Sequence, residues 1–479
     1  MGGSATDLEG ARLLLSAKAL CMRRDDLASL KPIALIPLLI SALVGAAIQS
    51  CAGPGSRGTR VVFITLDTLR YDSFAGGTDR ATSMPRIRAR AEGCLVFDRF
   101  YTATSTTQPT HATLFTALHP WQHGVTRNGQ TLTQEHATVA EMLKNAGFRT
   151  AAVVASFPLS QRFGLNQGFD EYHDDFSQVL EGQEGWEGVE NPPTGAFYSL
   201  AENVTDAAMD VLDRYAGDKR QFFWFHYFDP HGPYGDSFGT ETVGPGTVLI
   251  RVVRDGANAR EELLRARHLY DQDVSYLDRS LDRLFQRLSE DEGDFENHVL
   301  VVSDHGESFG EDGSVGHGRR LTEGQIHVPF FICSPKIRPG LRDDVAGSID
   351  VTPTILSLAD AKSATPSGRD LTKVPGKPRL AFGMRRTFGA GALDFRLDGS
   401  THPVNMHLFY MVDEDGMIYH GNGEEVLPEG ADGSKTIEKD LARRLTTQFA
   451  AFEAELGSEA DPGIDPETQR ALRALGYVQ

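Results

Sequence analysis

Short apolar runs and helical patterns alternate along most of this chain. Residues Arg60 to Asp67 (RVVFITLD) are apolar, β-branched and too few for a helix, which predicts a strand buried on both faces of a parallel sheet. Thr150 to Ala155, Gln221 to Tyr227, His298 to Ser303 and Val328 to Cys333 share that character. Between them, Val139 to Ala146, Tyr198 to Tyr215 and Glu261 to Leu288 predict helices. In the last of these, Leu264, Leu269, Val274, Leu277, Leu281 and Leu284 recur at helical spacing. Strands alternating with helices predict an α/β sheet. From Gly376 the pattern changes to shorter runs, Arg379 to Gly383 and Leu408 to Tyr419, and then to a helix around Leu441 to Leu456. The expected organisation is a main domain over residues 58–375 and a smaller C-terminal α+β subdomain over 376–479.

The first 57 residues stand apart. Arg23 and Arg24 precede an apolar stretch from Pro32 to Ile48, which gives way after Ser50-Cys51 to a Gly/Pro/Ser segment. The stretch is short for a membrane span and holds Pro32 and Pro37, so it reads as a signal peptide rather than a retained helix. Met22, directly before the basic pair, suits the start of such a segment better than Met1. Ile48-Gln49-Ser50-Cys51 resembles a bacterial lipoprotein cleavage box, although Gln49 departs from the small residues usual there. The expected location is the periplasm or cell envelope, with lipidation of Cys51 weighed evenly against simple secretion or an uncleaved anchor.

Composition narrows the class. A chain of 479 residues, 40% apolar and 24% charged, is that of a globular enzyme. A net charge of −19 repels nucleic acid and anionic membrane surfaces, leaving a membrane role only to the N-terminal anchor. The four cysteines, Cys21, Cys51, Cys94 and Cys333, show no CxxC spacing and no readable disulfide framework.

Ligands gather at the carboxyl ends of strands in open α/β sheets, so the polar residues there carry the chemistry. Asp67 ends the first run, Asp304-His305 follows VLVVS, and Asp229-Pro230-His231 follows FFWFHYF. Each has a bland reading as a cap or a backbone-bonded loop residue. Carboxylates and imidazole at one sheet edge are also a ligand set for Ca2+, Mg2+, Mn2+ or Zn2+. In Thr104 to Val125 (TSTTQPTHATLFTALHPWQHGV), hydroxyl residues precede a helix-like stretch, where the positive backbone field favours an oxyanion. His226 reads as structural, since strand alternation decides its face. His119 and His123 carry no assignment.

VVFITLDTLRYD, TTQPTHATLFTALHPWQHGV, FFWFHYFDPHGPY, VVSDHGESFGEDGSVGHG and SIDVTPTILSLA, in this order and spacing, resemble the blocks of the sulfatase branch of the alkaline phosphatase superfamily. The closing LRALGYV resembles the tail of many bacterial sulfatase-like proteins. The resemblance runs from about Val61 to Ala359. It implies a three-layer sandwich with a central, mostly parallel mixed sheet. It implies that Asp67, Asp304 and His305 bind a divalent metal, Ca2+ or Mg2+ ahead of Mn2+ or Zn2+, completed by the Thr107 hydroxyl. Thr107 would be the nucleophile. His111 falls where sulfatases have arginine, and His231, His317 and Arg319 would contact the anionic group or the leaving oxygen. For His317, in GSVGHG, a solvated loop position is the competing reading.

Two departures alter the expected chemistry. Sulfatases use a formylglycine made from Cys or Ser, and Thr107 is not a substrate for that conversion. A threonine ester must be cleared by water, which is readier at phosphorus, and threonine is the nucleophile in phosphodiesterase and phosphoethanolamine-transferase branches of the superfamily. Thr68 stands where many sulfatases have a second metal-binding aspartate. The expected function is hydrolysis of a small-molecule, glycan or lipid sulfate or phosphate ester through a covalent Thr107 intermediate. The competing readings are a phosphoryl-group transferase and a non-catalytic metal-binding relative. Substrate specificity is expected from two loops, Ser177 to Ala196 and Pro230 to Asp255.

Overall fold

The computed structural model describes residues 57–77, 81–179, 196–239, 241–362, 367–374, 379–386, 393–403, 407–421, 426–428, 439–456 and 468. The expected signal peptide, Cys51, the central part of the 177–196 loop and the 472–478 tail lie outside the described residues. Residues 57–479 form one compact unit.

An eight-stranded sheet organises this unit. In chain order its strands are β1 (Gly58–Leu66), β2 (Leu95–Phe97), β3 (Arg149–Val153), β4 (Glu171–His173), β5 (Arg220–Tyr227), β6 (Phe295–Ser303), β7 (Phe330–Cys333) and β8 (Gly340–Arg342). Their order across the sheet is β8-β2-β7-β6-β1-β5-β3-β4. Every neighbouring pair is parallel except the two that involve β7, which runs antiparallel to β2 and to β6. The sheet is therefore mixed and mostly parallel, as the resemblance implies. β2, β4 and β8, of three residues each, escape the sequence pattern because a run that short has no periodicity to read.

Two apolar cores, one on each face, explain why β1 and β5 read as continuous apolar runs. Val62, Ile64 and Leu66 pack with Phe223, Phe225 and Tyr227 beneath the helices Ala201–Arg214 and Ala259–Glu290. Val61 and Phe63 pack with Phe222 and Trp224 on the opposite face, beneath α1 (Thr107–Thr116) and the helices Val139–Asn145 and Val351–Leu358. Alternation along a strand sends successive side chains to opposite layers, so a strand between two helical layers is apolar at every position. The Ala259–Glu290 helix begins where Asn258 accepts the amides of Arg260 and Glu261. The pattern expected over Tyr198 to Tyr215 begins as a helix only at Ala201, because Ala196–Tyr198 is a short strand.

The C-terminal region holds a separate antiparallel sheet, β9 (Ala381–Arg386), β10 (His407–Val412), β11 (Ile418–Gly421) and β12 (Val426–Pro428), followed by the helix Lys439–Leu456. Phe409, Met411, Phe449 and Phe452 form its core and close over Trp121. Cys94 and Cys333 form a disulfide, a pairing not readable in the sequence. The antiparallel register that sets Ile332 opposite Leu95 brings these two residues together, and no spacing 239 residues long in the sequence reveals it. Among the described residues, no helix is long and apolar enough to cross a membrane.

Candidate active site

The carboxyl edge of the sheet gathers the expected residues. β1 and β6 run parallel with Leu66 beside Ser303, so Asp67 and Asp304 leave the sheet together. Backbone bonds hold them there: Asp67 N donates to the Tyr227 carbonyl at 2.9 Å, and Asp304 N to the Leu66 carbonyl at 3.1 Å. His305 Nε2 lies 3.7 Å from Asp67 Oδ1, 3.7 Å from Asp304 Oδ2 and 3.4 Å from Thr107 Oγ1. Asp67, Thr107, Asp304 and His305 are all fully buried. Residues more than 200 positions apart thus converge as the resemblance implies.

The segment that delivers Thr107 is tied to Asp304. The Thr102 hydroxyl donates to the Asp304 carbonyl, and Thr102 N to the Ile326 carbonyl at 2.9 Å. α1 starts at Thr107 after Thr106 in an extended conformation. Its first-turn amides are engaged elsewhere: Gln108 N donates to Asn128 at 2.8 Å, residue 109 is proline, and Thr110 N returns to the Thr106 carbonyl. The helix start therefore offers an oxyanion its field more than a ring of donors.

Whether these groups suit a cation follows from their chemistry. Asp304 Oδ1 accepts the amides of Thr68 at 3.2 Å and His305 at 2.7 Å, whereas its Oδ2 is buried without a hydrogen bond. Burial pushes the Asp304 carboxyl well above the usual carboxylate range, the signature of an acid in a dry site without a compensating charge. His305 donates Nδ1–H to the Gly306 carbonyl at 3.0 Å, which leaves the Nε2 lone pair facing both carboxylates. Oxygen ligands bound at about 2.3–2.6 Å around one cation lie roughly 3.3–3.7 Å apart. The separations around His305 Nε2 fall in that range, so Asp67, Asp304, His305 and Thr107 fit a divalent ion.

A second set of ligand-type atoms, from His111, His226 and Asp304, also lies close together. The hydrogen bonds argue against a second ion. Ala155 N donates to His226 Nδ1 at 3.3 Å, so the ring hydrogen sits on Nε2, which points towards Asp67 Oδ2 at 3.6 Å. His226, expected to be structural, lies against the carboxylate of Asp67. Thr65 is paired with His226 in the β1–β5 register, and alternation places both on the α1 side of the sheet.

His111 is brought in beneath the site rather than towards an incoming anion. One ring nitrogen meets the Thr107 carbonyl at 2.8 Å and the other the Thr65 hydroxyl at 3.0 Å. Burial lowers its pKa to about 4, so it is neutral and does not replace the charge of an arginine. His317 and His231 pack beside His305. The His317 ring lies 4.4 Å from that of His305 and 5.0 Å from that of His231, and its Nδ1 meets the buried Glu307 carboxylate at 3.2 Å. Glu307 was not singled out from the sequence; its place two residues after His305 in SDHGE is the only signal. His231 stacks on Phe228 at 4.4 Å and donates Nδ1–H to the Gly232 carbonyl. Arg319 is half-buried. Asp229, two residues before His231, turns away and accepts the amide of Ala201 at 2.7 Å as a helix cap. Of the expected specificity loops, residues 230–255 contain a helix, Pro245–Val253. His119 stacks on Trp121 and His123 bonds to Thr113, both outside the site.

A mostly parallel sheet between helical layers, with this chemistry at its carboxyl edge, belongs to the hydrolases of sulfuric and phosphoric esters that share the alkaline phosphatase-like architecture. Comparison with known proteins reaches the same class. The family model for sulfatases matches residues 59–361. A choline-sulfatase of Rhizobium meliloti is 26% identical over 351 residues, 62% of this chain and 67% of its own length. An N-acetylglucosamine-6-O-sulfatase of Bacteroides thetaiotaomicron is 24% identical over 40% of this chain and 35% of its own length. Among solved structures, the phosphonate monoester hydrolase of Silicibacter pomeroyi superposes with a TM-score of 0.60 at 19% identity, over 83% of this chain and 95% of its own. A structure solved in complex with its substrate, D-glucosamine-2-N,6-O-disulfate, gives 0.60 at 17% identity, over 86% and 99%. The chain belongs to the sulfatase family.

Proposed function

We propose that this protein is a metal-dependent hydrolase of a sulfate or phosphate ester that acts through a covalent Thr107 intermediate. The observation that carries the reading is the Thr107 hydroxyl, 3.4 Å from His305 Nε2, the same atom that lies 3.7 Å from each of the two buried carboxylates. Asp67, Asp304 and His305 would hold the ion and Thr107 would complete its shell. Such an ion, when bound, lowers the pKa of a hydroxyl and neutralises an oxoanion.

The chain's own groups do the rest. The Thr107 hydroxyl gives up its proton to solvent, Oγ1 attacks sulfur or phosphorus in line and the bond to the leaving oxygen breaks; Oγ1 takes a proton back when its ester is later cleaved. His317, whose Nδ1 meets the Glu307 carboxylate, passes a proton to that oxygen, and His231 beside it contacts the anionic group. Water then cleaves the Thr107 ester, with the same histidine accepting its proton. Threonine lacks the second hydroxyl by which a hydrated formylglycine expels sulfate, so clearance by water favours a phosphate or phosphonate ester over a sulfate. The relatives span both, a choline-sulfatase and a phosphonate monoester hydrolase. The same reading takes the chain to be exported to the periplasm or cell envelope. The Cys94–Cys333 disulfide supports it, because such bonds persist in oxidising compartments.

Hydrolysis of an arylsulfate, a phosphate monoester and a phosphate diester, with and without chelator, tests this function. Turnover should vanish in chelator and return with a divalent ion. After acid quench, the Thr107 peptide should carry the transferred group, and Thr107→Ala should lose both label and turnover. Near-normal hydrolysis in Thr107→Ala would refute the assignment.

A further inference from the structure

His111 replaces an arginine in the family pattern, and its hydrogen bonds form a buried chain with one consistent direction. Trp224 Nε1, which can only donate, reaches Thr65 Oγ1 at 2.9 Å. The Thr65 hydroxyl hydrogen is then available for His111 Nε2 at 3.0 Å. With Nε2 accepting, the neutral ring carries its hydrogen on Nδ1, which donates to the Thr107 carbonyl at 2.8 Å. Asp304 Oδ2, at 3.8 Å from the same Nδ1, is too far to compete. Trp224, Thr65, His111 and Thr107 are each fully buried. The far end is immobile: Trp224 sits in the middle of the sheet, with Phe115 packed edge-on at 4.6 Å.

We propose that His111 is a positioning residue: the Trp224–Thr65–His111 chain clamps the Thr107 carbonyl and so aims the Thr107 hydroxyl at its place beside His305. This rests on the reading of Thr107 as nucleophile. The family's arginine brings charge to this position, whereas here the sheet core supplies orientation instead. Displacing a reacting group by about 1 Å costs on the order of 10²-fold in rate. A clamp on the backbone of the nucleophile is therefore worth a large part of kcat while leaving substrate contacts alone.

The chain makes distinct demands on each variant. His111→Leu and His111→Gln lack a donor at the Nδ1 position and lower kcat by about 10²-fold, with KM within about twofold of the parent. His111→Asn, whose amide NH2 stands where Nδ1–H does, recovers most of that loss. Thr65→Val keeps the shape, removes the middle link and lowers kcat about tenfold; added to His111→Leu it lowers it no further, because both cut one chain. Independently of activity, 15N chemical shifts of the His111 ring show hydrogen on Nδ1 in the parent and a mixture of tautomers in Thr65→Val. Unchanged kcat in folded His111→Leu, additive losses in the double variant, or hydrogen on Nε2 in the parent each overturn the proposal. Survival of turnover in Thr107→Ala removes the nucleophile itself, and the 15N result separates that failure from a broken chain.

Discussion

Thr68 is the residue at which local strain and site chemistry meet. Its φ is 54°, a left-handed conformation that a β-branched residue adopts only under constraint, at a cost of about 1–3 kcal/mol. The constraint is visible: Thr68 N donates to Asp304 Oδ1, and the Thr68 carbonyl accepts from the Tyr270 hydroxyl at 2.9 Å. Its own hydroxyl is buried without a hydrogen bond. Aspartate tolerates this conformation better and would add a carboxylate beside the proposed ion. Thr68→Asp should therefore tighten divalent-ion binding by about tenfold, since ligand charge sets affinity at such sites. Calorimetric titration of the metal-free protein checks it; weaker binding in the variant would place the ion elsewhere.

At the scale of elements, the C-terminal sheet is a prop for the segment that presents Thr107. Met384 N in β9 donates to the Ala103 carbonyl at 2.9 Å, and the Tyr410 hydroxyl of β10 donates to the Thr102 carbonyl. β9 approaches so closely that a Cβ at Gly383 would meet the Tyr410 ring and the Ala103 carbonyl. Gly383→Val should push the two apart, lowering stability by about 1–3 kcal/mol and kcat together, measured by thermal melting and by turnover. An active, fully stable variant would show the prop to be dispensable. The subdomain itself was legible as a change of pattern after Gly376, but its support of Thr102 and Ala103 was not, because antiparallel packing against a distant loop leaves no local periodicity. The same holds for His226: its strand was evident, and its face was settled only by the register with Thr65.

For the whole molecule, long-range links and buried histidines set how stability responds to conditions. The Cys94–Cys333 bond closes a loop of 239 residues between neighbouring strands, so Cys333→Ser should cost about 2–4 kcal/mol in denaturant unfolding. A loss under 1 kcal/mol would mean that the unfolded chain gains little from the missing link. His123 and His298, both outside the site, are held neutral by burial, with pKa lowered from 6.5 to about 3 and about 4. The unfolded chain takes up these protons below pH about 6.5 while the folded one does not, so unfolding free energy rises with pH across the interval from 4 to 6.5. Melting temperature should fall steadily as pH drops through that window, and His298→Gln should flatten the slope. A flat profile in the parent would contradict the burial of these rings.

Taken by itself, the order of residues determined what depends on neighbours in the chain. β-branched runs made strands, leucines at helical spacing made the long helix, and the blocks around Asp67, Thr107, His231, Asp304 and His317 marked the candidate site. Tertiary structure alone decided what depends on partners hundreds of positions away. The pairing of Cys94 with Cys333, the meeting of Asp67 and Thr107 with His305, and the turning of His226 towards Asp67 follow from strand register and buried hydrogen bonding, which couple residues by position in space.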